Sequence, residues 1–175
     1  MPGEPVIFPA VPIRRAALRS WIASLVPVAA SLLAASLSAQ DIPRNPDGTI
    51  QFHHALDNAP LAFEFRPNQT ITDAVRQFKQ SGENPYRGDE AAILAGRALY
   101  NQWCAACHLP DATGRIGPSL VDEEVSNPRV GTDVGMFEVI YGGAAGAMQA
   151  FGRRMDQDQI LKIMAYIRQL QASRG

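Results

Sequence analysis

The chemistry in this sequence is concentrated in "WCAACHLP", which carries Cys104, Cys107 and His108. These are the only two cysteines in 175 residues, and the only other histidines are the adjacent His53 and His54. Four chemistries compete for the pattern. A structural zinc site needs four ligands, and His53 and His54 make a poor second pair in a distant segment. A redox-active dithiol is expected at the strand-to-helix turn of a βαβ unit, and no such unit can be read here. A disulfide would close a two-residue loop, constrain little of the unfolded chain and leave His108 without a role. Cys-X-X-Cys-His is also the attachment pattern of c-type haem. Two thiols about one helical turn apart can reach both vinyl groups along one porphyrin edge, and the next residue, His108, then lies beneath the iron. This reading uses all three residues. It assigns one covalent haem c to Cys104 and Cys107, with His108 as the proximal iron ligand.

A sixth ligand is sought among five methionines. Met1 precedes the leader, Met164 lies on an apolar helical stripe, Met136 falls within a helix, and Met155 directly precedes a helix cap. Met148 stands in "YGGAAGAMQAFG", a run of small residues that lets backbone approach a haem face closely. Met148 is therefore the expected distal ligand, and its thioether favours ferrous iron. A coordinated thioether also argues against the rival class, a peroxidase-like haem enzyme with an open iron face. "TGRIGPSL" follows His108, and a backbone carbonyl near Gly117 and Pro118 is expected to accept the imidazole N–H, which orients the ring.

The elements that must position these groups are mainly helical. "TITDAVRQFKQSG" reads as a helix capped by Thr72 and ended by Gly82. "DEAAILAGRALYNQWC" begins at an Asp89 cap, with Ile93, Gly96 or Arg97, Tyr100 and Trp103 at helical spacing. "TDVGMFEVIYGG" is capped by Thr132 and stopped by Gly142 and Gly143. "DQDQILKIMAYIRQL" starts at Asp156 and shows one stripe of Ile160, Ile163, Met164, Ile167 and Leu170. Upstream, "IPRNPDGTIQF" reads as a turn followed by a short strand. His53 and His54 sit in a polar loop and are read as solvated surface, as is the acidic run "DEEV" from Asp122.

Arg14, Arg15 and Arg19 precede an apolar, small-residue run that ends near Gln40, the layout of a secretory leader. Residues 1–39 are expected to be a cleaved signal peptide and the mature protein to be periplasmic, without a membrane span. The formal charge of the whole chain is −1. From Gln40 onward 13 basic residues face 16 acidic ones, a net of −3. Nothing here provides the basic field that nucleic acid would require.

With these motifs in place the chain resembles the class I monohaem c-type cytochromes. In that family a glycine and an aromatic residue on the first helix cross the last helix. Gly96 and Tyr100 match that spacing ahead of Cys104, Tyr166 is the counterpart, and Tyr100 is expected among the cofactor-binding residues with Cys104, Cys107 and Pro118. The stretches "FKQSGENPYRGDEAAILAGRALYNQWCAACH", "GRIGPSLVDE" and "TDVGMFEVIYGGAAGAM" resemble the cytochrome c-L family more closely. The resemblance implies a class I cytochrome c fold, three to five helices around one covalent haem, over residues 88–175. It leaves 40–87 as an irregular N-terminal extension packing on the haem domain. It also implies an electron-transfer protein rather than an enzyme. Its donor would be a PQQ-dependent methanol or alcohol dehydrogenase, and its acceptor a small cytochrome c or an oxidase. A donor of another kind, or membership of an oxidase complex, is the alternative.

Overall fold

Local side-chain chemistry sets most helix ends in the computed structural model, which describes residues 42–122 and 127–174. The expected leader, and Glu123 and Glu124 of the acidic run, lie outside the described residues. Helix α1, Asp73–Ser81, starts where the Thr72 hydroxyl accepts the Val75 N–H at 3.3 Å. It ends at Gly82, whose φ of 78° is left-handed and whose N–H reaches the Phe78 carbonyl. Helix α2, Glu90–Trp103, is capped by Asp89 accepting the Ala92 N–H at 2.9 Å. A bend at Cys104 leads into α3, Ala105–His108. A 3-10 turn, Pro128–Gly131, precedes α4, Asp133–Gly142, which the Thr132 hydroxyl caps at Gly135. In α5, Gln157–Ala172, the Gln159 side chain reaches back to the Asp156 N–H at 2.9 Å.

The short strand expected after the 45–48 turn does not form. Only isolated bridges occur there, Arg44 with Ile50 and His53 with Pro60. Two causes are visible. Pro43 and Pro60 lack the N–H a ladder needs. In addition, the Ile50 N–H is taken by the Lys79 carbonyl at the end of α1, at 2.7 Å.

Helices α2 and α5 cross at Gly96, where an added Cβ would stand 2.0 Å from the Lys162 carbonyl oxygen. Only a residue without a side chain admits that approach. One turn on, Tyr100 and Tyr166 meet edge to face, with ring centroids 5.4 Å apart. Helix α5 also touches α1 and α4. Its buried surface is therefore wider than one stripe and takes in Leu161, Ala165 and Tyr166.

Residues 42–87 contribute to the same core as the helices. Ile50, Phe52, Val75 and Phe78 are buried in one apolar cluster with Phe137, Ile140 and Ile163. Phe52 packs on Phe63, Phe78 and Phe137 at 5.0, 5.7 and 5.2 Å. Buried Glu138 ties this segment to α4, because its Oε1 accepts the His53 backbone N–H at 2.6 Å. The reading of His53 and His54 as solvated surface is thereby corrected. The bridge to Pro60 folds this segment over α4, so both histidines are partly covered. The His54 Nδ1 would lie only 3.3 Å from a Cβ placed on Gly142.

Candidate functional site

The site is assembled where α2 gives way to α3. The Cys104 carbonyl accepts the N–H of Cys107 at 3.1 Å and of His108 at 3.0 Å. That single turn sets the two cysteines one turn apart with the histidine directly following. Both are half-buried and neither is joined in a disulfide. Burial, with a smaller contribution from Cys107, pushes the Cys104 thiol up to about 12. Burial therefore keeps the Cys104 sulfur in its neutral thiol form in the protein by itself. Among the described residues no group of three or more His, Cys, Asp or Glu is placed to hold a lone metal ion.

His108 is 8% exposed. Its Nδ1 lies 2.9 Å from the Pro118 carbonyl oxygen. A carbonyl can only accept, so Nδ1 carries the proton and the lone pair is left on Nε2, the nitrogen available to a metal. Gly117 lies flat against the ring: a Cβ there would stand 2.6 to 2.9 Å from three imidazole atoms. The loop that brings Gly117 and Pro118 to the ring is strapped to α3. The Cys107 carbonyl accepts the N–H of Gly117 at 3.0 Å, and the His108 carbonyl accepts that of Gly114 at 2.9 Å.

Tyr100 is fully buried. Burial holds its hydroxyl above the ordinary range, so the group remains a donor at any working pH. It donates to the Leu109 carbonyl at 2.9 Å. Sequence reading had placed Tyr100 at a helix crossing and among the cofactor-binding residues; its hydroxyl contact nine residues away has no periodic signature.

Met148 lies on the loop between α4 and α5. Gly143 and Gly146 take positive φ, 82° and 78°, and the Ala144 N–H donates to the Met148 carbonyl at 3.1 Å. The base of the loop is closed by Phe151 and Gly152, whose N–H groups reach the carbonyls of Ile140 and Tyr141. Met136, Met155 and Met164 are 4%, 1% and 0% exposed and packed in the core. Met148 alone of the described methionines is only partly buried. Trp103, next to Cys104, meets Phe151 edge to face at 6.3 Å, which joins the cysteine-bearing turn to the base of the methionine loop. Sequence reading had placed Trp103 only on a helical stripe and had not singled out Phe151.

These residues fit covalent haem c. They offer two thiols on one turn, an imidazole held by its far nitrogen with the near one free, and a partly buried thioether on a glycine-containing loop.

Comparison with known proteins points the same way. Residues 91–167 match the family model described as cytochrome C oxidase, cbb3-type, subunit III. Cytochrome c-L of Methylorubrum extorquens is 38% identical over 99 residues, 57% of this chain and 50% of that protein. The chain thus spans half the length of that curated relative. The crystal structure of cytochrome cL from Methylophaga aminisulfidivorans is similar with a TM-score of 0.67 and 37% identity, covering 69% of this chain and 80% of that one. That of cytochrome cL from Hyphomicrobium denitrificans gives 0.66 and 33%, covering 69% and 73%.

Proposed function

Because this chain belongs to the cytochrome c-L family and carries covalently bound haem c, we propose that it is a periplasmic electron carrier. It takes electrons from a PQQ-dependent methanol or alcohol dehydrogenase and delivers them to a small cytochrome c or an oxidase. The observation that carries this reading is His108, with Nδ1 spent on Pro118 and Nε2 free, directly behind the paired cysteines. Residues 1–39 direct export and are then removed. No described helix is long and apolar enough to cross a membrane.

The bound haem c supplies reversible one-electron redox chemistry; the chain performs no bond-making step and is not an enzyme. Cys104 and Cys107 would tether the group, and His108 and Met148 would supply its iron with an imidazole nitrogen and a thioether sulfur. The Pro118 carbonyl makes the imidazole more basic, which favours ferric iron, while the Met148 thioether favours ferrous iron. Their balance sets the potential. The small residues 144–147 are partly or fully exposed, so a partner's surface can come close beside Met148. Electron-transfer contacts are small and short-lived because turnover requires release.

The subunit III description of the family model supports a second reading, service within an oxidase complex. The first is favoured because the likeness to the cytochrome cL structures covers 69% of the chain and extends beyond residues 91–167. Stopped-flow mixing of the purified haem protein with reduced quinoprotein methanol dehydrogenase separates the two. Faster reduction than of a generic cytochrome c, slowed by salt, is expected; equal rates would overturn the pairing.

A further inference from the structure

Leu109 directly follows His108 and adopts φ 64°, ψ 157°, a region comfortable only for glycine. Its two neighbours impose this. Pro110 bars the helical ψ and drives Leu109 to an extended one. The end of α3 turns φ positive while the Leu109 N–H still reaches the Ala105 carbonyl at 2.9 Å. A residue so placed persists only where its surroundings hold it. Here the Leu109 carbonyl accepts two donors, the Ala112 N–H at 3.1 Å and the Tyr100 hydroxyl at 2.9 Å. A phenylalanine would fill the crossing against Tyr166 equally well, so the hydroxyl is not required for helix packing. Its partner is the peptide that leaves the histidine.

We propose that Tyr100 is a positioning residue for the axial imidazole: its hydroxyl holds the Leu109 carbonyl and keeps the chain leaving His108 in the conformation from which Nδ1 meets Pro118. The inference rests on His108 being the iron ligand. Without the hydroxyl, only the Ala112 N–H holds the Leu109 carbonyl. The residue then relaxes toward ordinary extended backbone, and the adjoining imidazole turns relative to the Pro118 carbonyl. Glycine at 109 would need no such restraint.

The test uses holoprotein with Tyr100→Phe, Leu109→Gly and the pair together. Three quantities are read: the hyperfine-shifted ring resonances of His108 in the ferric state, the midpoint potential, and amide exchange at Ala112 and Gly114. In Tyr100→Phe the resonances and the potential shift, and the two amides exchange about fivefold faster relative to those of α4, the effect of one lost hydrogen bond. With Leu109→Gly present, most of these changes disappear. Wild-type resonances and potential in Tyr100→Phe, or equal changes in both backgrounds, would overturn the proposal. Should Tyr100→Phe yield no holoprotein, the double variant restores it, and failure to restore it overturns the proposal too. A wild-type chain that takes up no haem refutes the functional reading instead, before any variant is made.

Discussion

Replacing Gly117 by alanine probes the axial geometry directly. The new methyl would lie 2.6 Å from Cε1, 2.8 Å from Nδ1 and 2.9 Å from Nε2 of His108, where an unstrained contact needs about 3.5 Å or more. The ring must retreat by about 1 Å. That movement lifts Nδ1 out of line with the Pro118 carbonyl, now 2.9 Å away, and weakens the hydrogen bond. Gly117 cannot give way in its place, because its own N–H and that of Ile116 are bonded to the Cys107 carbonyl at 3.0 and 3.2 Å. Overpacking of this kind costs about 1–3 kcal/mol, so the variant should lose about that much stability. Denaturant unfolding of oxidised and reduced holoprotein measures that loss. The imidazole also becomes less basic, which weakens ferric more than ferrous iron, so the midpoint potential should rise. Gly131→Ala is the control, since a Cβ there meets nothing within 4 Å; it should stay within about 0.5 kcal/mol of wild type. If Gly117→Ala unfolds like Gly131→Ala and keeps the wild-type potential, the reasoning about the imidazole is wrong.

Gly96→Ala should separate α2 from α5, because its Cβ would stand 2.0 Å from the Lys162 oxygen. A loss of about 3 kcal/mol in thermal or denaturant unfolding is expected. Met148→Ala should abolish the ferric band at the red end of the visible spectrum and lower the potential, whereas the volume-conserving Met136→Leu in the core should leave the band in place. Acid sensitivity should trace to Asp133. Burial works to raise its carboxyl, but hydrogen bonds from Arg87 and the Asn84 N–H, with the charges of Arg87 and Arg168, outweigh this and hold it below the usual range. A pKa depressed by folding adds stability that is complete above the unfolded value, about 3.9, and is lost as pH falls through the folded one. Asp133→Asn should therefore be less stable at neutral pH, and its stability should vary less below about pH 4 in an acid titration followed by circular dichroism.

Features whose partners lie within about one helical turn were legible from residue order alone. Thr72, Asp89 and Thr132 cap helices by bonding N–H groups three residues on, so a capping side chain before an apolar period was enough to place α1, α2 and α4. The same locality made Cys104, Cys107 and His108 legible, since their spacing is the chemistry. The Gly96 and Tyr100 crossing was readable because helical periodicity sets which residues share a face. Tertiary structure decided the rest. It chose the Pro118 oxygen from the carbonyls of its loop, and it gave the Tyr100 hydroxyl to a strained peptide. It also diverted the Ile50 N–H from a strand to the end of α1, and it drew His53 toward Glu138, 85 positions away. Each of these is a hydrogen bond between residues nine or more positions apart, beyond the reach of a single helical turn. Which donor then faces which acceptor depends on how bulky side chains and missing Cβ atoms fit together in space, and no periodicity along the chain encodes that fit.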